Sequence, residues 1–496
     1  MDARKKRKIL IVVAVLVALG AIVAFTAWYK LFRDVPQPAW ITADQRDDFL
    51  YGSMGGEGTQ GMPYWIWLVL PRMFPEYLPG PGGYASLGLP WEEGKEMPAG
   101  FSKKTVGFVR VGQNCAICHS TSYRTREDEV PKVVPAGPGH TADIQGLINF
   151  FMRCAGDPRF NADDLLAEID LVTRLSPLDR LLYRFALIPR TRQALLDQGR
   201  VFSFASRRPA WGPGRDAPMN LTKFVLLAGH DDGTIDNTDF PAIWHLSARE
   251  QAGRTWDEKT PDPVPAHTML MNLDGATTSF RSVLIDSALG IGATNTPFFN
   301  RRIPELLDWL RKFTPPPFPL PIDAPKAARG KAVFETQCAA CHAPGRDNRM
   351  GTVIPIAEVG TDRERLDAWT KAAADGANAK VASLGIRRTP MIKTQGYIAV
   401  QLDGLWLRGP FLHNGSVPTV RDLLEPVERR PRTFFRGYDV IDAANLGYLS
   451  TVAVEKGRRF FLLDTRQRGN GNGGHLYGTA LPPGDKDDLL EYLKTL

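Results

Sequence analysis

Two short stretches constrain this chain more than anything else in it: NCAICHS at residues 114–120 and QCAACHA at 337–343, both of the form Cys-x-x-Cys-His. Three chemistries use cysteines this close together. A thiol–disulfide exchanger needs one thiolate of low pKa, and a structural zinc site needs four ligands. Attachment of a c-type haem needs two thiols for thioether bonds and an adjacent histidine for iron. Only the last uses every residue of both copies. Zinc would require two more soft ligands beside each pair, and neither stretch has them locally. Joining both pairs around one ion would leave His119 and His342 without a task. The pattern therefore predicts two covalently bound haems c, one on Cys115, Cys118 and His119, the other on Cys338, Cys341 and His342. Cys154, the fifth cysteine, reads as a buried free thiol, since an unpaired Cys behaves as a small hydrophobe.

The amino terminus is the second constraint. Arg4, Lys5, Lys6, Arg7 and Lys8 precede an apolar run at residues 9–28, long enough to span a bilayer as a helix. A cleaved signal peptide competes with this reading, but its apolar core would be shorter and end at a small-x-small site. Here Trp28 and Tyr29 close the run as interfacial anchors would, which favours a retained span. Cations concentrated before the span place the tail in the cytoplasm and the bulk of the chain in the periplasm, tethered to the inner membrane. The tail accounts for +4 of the formal net charge of +7, so little excess charge remains to support nucleic-acid binding.

Flanking sequence organises the rest. Before the second motif, Gly330 and Phe334 lie in a stretch rich in helix formers, and Gly107 and Phe108 echo that pattern more weakly before the first. LLDWLRKF at 306–313 and LLEYLKTL at 489–496 each place apolar residues on one helical stripe. TPPPFPLPIDAP at 314–325 breaks any helix and reads as a stiff connector. Boundaries follow: tail 1–8, anchor 9–28, periplasmic extension 29–100, first haem domain 101–313, linker 314–325, second haem domain 326–496. Within the extension, the apolar core at 65–70 is too short to cross a membrane and is expected to pack as core. Residues 163–200 support two helices separated at Ser176-Pro177, with Pro189 limiting the second.

The sixth iron position decides between electron transfer and reaction with small molecules. The remaining histidines are His140, His230, His245, His267, His413 and His475. For the second haem there are two candidates. His475 stands in RGNGNGGHLYG, whose glycines free the backbone to bring a side chain over a porphyrin. His413, in GPFLHNGS, is a ligand or a residue that holds a loop or a propionate. The first haem has no obvious partner. His140 is nearest in sequence, and His230, beside Asp231 and Asp232, is a candidate for moving protons to a bound oxygen species. Trp244 is a candidate electron relay between the haems, against the alternative of an ordinary core aromatic.

Taken together, NCAICH, CAACH, GLWLRGPFLHNGSVPTVRDLL, RPRTFFRGY and GNGNGGHLYG resemble the dihaem c-type cytochrome family of the rubber oxygenases, the RoxA-like proteins. That family lies within the superfamily of bacterial dihaem cytochrome c peroxidases and MauG. The resemblance implies a mostly α fold: two cytochrome c-like haem domains with large loop insertions, here preceded by one transmembrane helix. It implies His475 as the distal ligand of the second haem and His413 as a residue at that haem's edge. It also implies His119 as the first haem's only protein ligand, Trp244 at the interface between the haems, and calcium between the domains, for which the sequence offers no ligand set. Leu273 stands where the family often has the tryptophan of a Trp-Asp-Gly sequence. With the chain's shorter length and its tether, this argues against cleavage of a rubber-like polymer.

The function expected is a periplasmic dihaem oxidoreductase. Electrons would pass through a bis-histidine haem, and peroxide or dioxygen would be activated at the first haem, with an organic substrate and a periplasmic or membrane redox partner. The alternative is a non-catalytic dihaem electron-transfer cytochrome. Intact-mass measurement of the mature protein is expected to show two haem masses above the polypeptide; a mass lacking them would end the assignment.

Overall fold

The computed structural model describes residues 3–246, 272–344 and 349–496. About 46% of the chain is helical and 12% in strands, so helix dominates as expected. The opening helix runs Ala3–Leu31 and none of its apolar surface is buried. It is long and apolar enough to cross a membrane, as an anchor or as a signal sequence.

Its end is stitched to the body at three points. The Gly107 N–H donates to the Arg33 carbonyl at 2.7 Å, Asp34–Val35 pairs antiparallel with Phe101–Val106, and Lys30 bridges Asp179 at 2.7 Å. A four-stranded antiparallel sheet follows, in the order Asp34–Val35, Phe101–Val106, Phe108–Gln113, Met62–Pro63. The two longer strands form a hairpin rich in β-branched and aromatic residues, and it ends two residues before Cys115. Gly107 sits at its turn with φ +73°, where a Cβ would lie 2.3 Å from the Leu31 carbonyl carbon. The Gly107–Phe108 echo is thus a hairpin, and only the second motif is led in by a helix. The sheet also joins strands from both sides of residue 100, so the expected extension is built into the unit that follows it.

The second motif has the arrangement its sequence implied. Helix Ala324–Gln337 runs to Cys338, capped at its start by Asp323, and crosses the terminal helix Pro483–Leu493. Gly330 is the point of closest approach: a Cβ there would lie 1.9 Å from the Asp488 carbonyl oxygen. Around that crossing, Phe334 meets Tyr492 with ring centres 5.2 Å apart, and Arg329 bridges Asp488 at 2.6 Å.

One large apolar cluster holds these parts together. It includes Leu306, Leu307 and Leu310 of helix Pro297–Lys312, Leu489, Leu490 and Leu493 of the terminal helix, and Trp244, Trp406 and Phe334. Cys115 and Cys338 both pack against it. The proline-rich connector belongs to the same core: Phe318 meets Trp406 edge-on at 5.7 Å, and the Trp406 indole N–H donates to the Pro316 carbonyl at 3.1 Å. A stiff segment has become a packed strap.

A second cluster lies under helix Tyr64–Met73, with Ile66, Trp67, Val69 and Leu70 buried in it, so this stretch packs as core. Cys154 is buried in the same cluster. Between residues 162 and 201, Ser176 caps the helix Pro177–Leu182 as expected. Pro189 does not stop the chain from coiling. A wide π-turn at Tyr183–Leu187 absorbs the missing N–H, and helix Ile188–Val201 continues beyond it.

Gly330→Val tests the crossing, because the added carbons meet backbone and not a movable side chain. Overpacking typically costs about 1–3 kcal/mol, and this variant is expected to reach at least the top of that range. Denaturant melts of the variant check the expectation.

Candidate haem-binding site

Both motifs wrap in the same way. The His119 N–H donates to the Cys115 carbonyl at 3.0 Å, and His342 repeats the bond to Cys338 at 3.0 Å. This turn brings the thiols and the imidazole of each motif to one side. Asn114 fixes the first turn from below: its side chain accepts from the Ala116 N–H at 2.9 Å and donates to the Leu50 and Gly52 carbonyls. Burial pushes the Cys115 and Cys338 thiols up to about 11, and Cys118 rises well above its usual range too. These are not the activated thiolates that disulfide exchange requires.

The two motif imidazoles are oriented alike. His119 Nδ1 lies 2.9 Å from the Pro241 carbonyl oxygen, and His342 Nδ1 lies 2.8 Å from that of Val400. A carbonyl can only accept, so Nδ1 carries the proton and Nε2 keeps its lone pair for a metal. Burial lowers the pKa of both rings, His119 to about 4, which holds them in the neutral form that ligates iron.

At the second motif another imidazole stands close to the His342 ring. The rings of His342 and His475 have centres 6.2 Å apart. A coordinating nitrogen sits about 2 Å from its metal and roughly 1 Å from its own ring centre, so two axial imidazoles on one ion stand about 6 Å apart. Among the described residues His475 Nδ1 is enclosed without a hydrogen-bond partner. A buried polar group left in that state is costly unless something else engages it. The residues fit a haem held between the two rings.

The Gly/Asn-rich loop delivers His475 at a positive φ of 48°, and its N–H is tied to the Val359 carbonyl at 2.7 Å. Arg430 holds the loop from behind. Its guanidinium donates to the carbonyls of Asn472, Gly474 and His475 on one side and to Leu423 and Glu425 on the other. Sequence reasoning passed over this arginine, although it opens the quoted RPRTFFRGY; an arginine among carbonyl-rich turns was the available signal.

His413 makes no ring contact with His342 among the described residues. Its ring stacks on Tyr397 with centres 4.0 Å apart, its Nδ1 is enclosed without a partner, and its carbonyl accepts from the Asp239 N–H at 2.8 Å. It fastens the 410–415 loop to the first half of the chain.

The first motif has no such partner among the described residues. The His119 ring meets Phe240, with centres 6.4 Å apart. His140 is buried, stacked on Tyr448 at 3.7 Å, with Nδ1 2.9 Å from the Thr121 hydroxyl. His230 stands on an exposed turn, and no contact joins it to either motif among the described residues. Its neighbouring carboxylates are taken up elsewhere, Asp231 by Arg207 and Arg208, and Asp232 by Lys223. His245 sits 3.5 Å from the Asp403 carboxylate, and His267 lies outside the described residues. No group of three or more His, Cys, Asp or Glu side chains among the described residues is arranged to hold calcium.

Trp244 connects the segments that orient the two motif histidines. It is fully buried, three residues after the carbonyl that orients His119, and its indole N–H donates to the Asp403 carbonyl at 3.2 Å. Asp403 in turn lies three residues after the carbonyl that orients His342. Arg408, paired with Asp403 at 2.7 Å, places its guanidinium carbon 5.7 Å from the centre of the Trp244 ring.

Comparison with known proteins agrees at one segment. The family described as RoxA-like, cytochrome c-like matches residues 396–435, which include Val400, His413 and Arg430. A cytochrome c-like domain implies covalently bound haem c and a location outside the cytoplasm. Two relatives from Sinorhizobium fredii, the uncharacterized proteins y4iM and y4iJ, are each 31% identical over 238 residues. The matches cover 38% and 35% of this chain, and 52% and 39% of those proteins, so the chain spans about half the length or less of the curated relatives it matches.

Arg430→Ala removes the charged donor from five carbonyls. Hydrogen bonds to charged groups contribute about 1.5–3 kcal/mol, so a stability loss of ~3 kcal/mol is expected. Part of the second haem should also convert to a form lacking its sixth ligand. Optical spectra of the ferric variant and its thermal melt check both.

Proposed function

We propose that this chain is a membrane-anchored, periplasmic dihaem c-type oxidoreductase in which the two sites do different work. The observation that carries the reading is the unequal provision of ligands: the His342 ring faces His475 at 6.2 Å, while His119 has no facing imidazole among the described residues. When bound, the haems would supply the redox chemistry, electron transfer at the site of His342 and His475 and reaction with peroxide or dioxygen at the site of His119.

The protein's part is geometric and electrostatic. Cys115, Cys118, Cys338 and Cys341 fix each porphyrin covalently, and the Pro241 and Val400 carbonyls hold each proximal ring in one tautomer. His475, positioned by Arg430, would be the second protein ligand to the haem at His342 and would keep small molecules from it. Trp244 supplies an aromatic path between the centres, with its N–H satisfied by a carbonyl and its ring close to the Arg408 cation. That cation raises the cost of removing an electron from the indole. Trp244 therefore serves as a transient relay and not as a resting hole. His230, on its exposed turn, has no part in this reading. A non-catalytic electron carrier would use the same strap, but would need a second strong ligand at His119.

The ferric protein is expected to show one low-spin and one high-spin haem, and only the high-spin signal should respond to peroxide. His475→Ala should turn the second haem high-spin with its attachment intact. Two low-spin haems with two protein ligands each would overturn the catalytic reading in favour of the carrier.

A further inference from the structure

The segment that leaves the apolar helix does not stand clear of the body. Lys30, at the helix end, bridges Asp179 at 2.7 Å, and Asp179 lies in the first turn of helix Pro177–Leu182. That helix and the π-turn after it carry Leu178, Leu181 and Phe185 at 46%, 54% and 73% exposure. The spacing i, i+3, i+7 puts all three on one face. Leu171, 70% exposed, ends the preceding helix beside them in sequence, and Phe32, two residues beyond Lys30, is 68% exposed. Scattered surface leucines need no explanation, but four large apolar side chains within 15 residues, tied by an ion pair to the foot of a membrane-length helix, do.

The charges around this face fit a lipid surface. Arg180 and Arg184 are paired with Asp170 and Asp163, while Arg174 and Arg190 are exposed and carry no ion pair among the described residues. Helix amphipathicity with cations at the margins is the pattern of a segment lying in the headgroup layer. Asp179, beside the apolar face on the same helix, is neutralised by Lys30; partial burial opposes the charge, but the Lys30 and Ser176 contacts hold its carboxyl below its usual range.

We propose that the face formed by Leu171, Leu178, Leu181 and Phe185 lies in the outer headgroup layer of the same bilayer that the N-terminal helix spans. This inference rests on the anchored reading above. It would fix the body's orientation, because the Lys30–Asp179 pair, the strand Asp34–Val35 and the face itself give three points of attachment. The hairpin Phe101–Gln113, which pairs with that strand, then sets the height of the first motif above the membrane. A quinol or a membrane-bound redox partner would meet the body in one pose and not across a swinging tether.

The test uses the full-length holoprotein in nanodiscs of phosphatidylethanolamine and phosphatidylglycerol. Single cysteines introduced by Val13→Cys, Leu181→Cys and Val454→Cys carry a nitroxide; the motif cysteines are consumed by haem and Cys154 is fully buried. Relative collision rates with oxygen and with a water-soluble nickel complex report depth in the bilayer. The labels at 13 and 181 should both favour oxygen severalfold over the label at exposed Val454. If 13 favours oxygen and 181 resembles 454, the face does not touch lipid and this inference fails while the anchor stands. If 13 itself resembles 454, the anchor and this inference fall together. Leu181→Ser with Phe185→Ser, both exposed and so expected to leave folding intact, should free the body. A label placed at Leu178 in that background should then lose its oxygen preference.

Discussion

Each motif imidazole gives its Nδ1 proton to a backbone carbonyl far away in sequence, and the rest of the site depends on that bond. Pro241 is 122 residues from His119, and Val400 is 58 residues from His342. A ring held this way can turn neither its plane nor its tautomer, so the remaining nitrogen points in a fixed direction. The loops carrying those carbonyls must therefore be fixed too. Much of the chain between the motifs does that work: the strand pair Arg215–Asp216 with Thr238–Asp239, the Arg436–Asp239 pair, and the Asp239 N–H on the His413 carbonyl all immobilise the approach to Pro241.

The same tethers explain why the two halves cannot be treated as separate modules. Arg365 is buried with Asp236 at 3.2 Å and Asp274 at 3.4 Å, joining the second half to the first. Arg124 reaches in the opposite direction, to Asp439 at 2.5 Å and Glu455 at 3.0 Å. Buried ion pairs of this kind add little net stability, but losing one partner is expensive. They fix one relative placement of the halves. Trp244 ties two of the fixed segments together through its N–H on the Asp403 carbonyl.

Legibility from sequence varied with how local each constraint is. The motif turns, the apolar N-terminal helix and the helix entering Cys338 all depend on residues close in the chain, and spacing was enough to find them. Gly330 was readable as part of a pattern, but its reason, the Asp488 backbone passing where a Cβ would be, required the crossing helix. His475 stood out by the glycines around it, whereas Arg430, which holds it, is 45 residues away in the chain. Gly107 misled because a small residue before an aromatic one suits a hairpin turn as well as a helix crossing.

What the sequence by itself determined is chemical: two sets of thiols with a histidine attached, one segment apolar enough to cross a membrane, and one loop supple enough to carry a distant imidazole. Those follow from covalent neighbours and from side-chain composition. Only the tertiary structure decided which histidine faces which. The residues alone left both His413 and His475 open as ligands and the resemblance favoured His475; in the structure one stacks on Tyr397 and the other stands 6.2 Å across from His342. The reason is that axial coordination is set by where two backbone segments far apart in the chain come to rest, and that depends on the packing of everything between them.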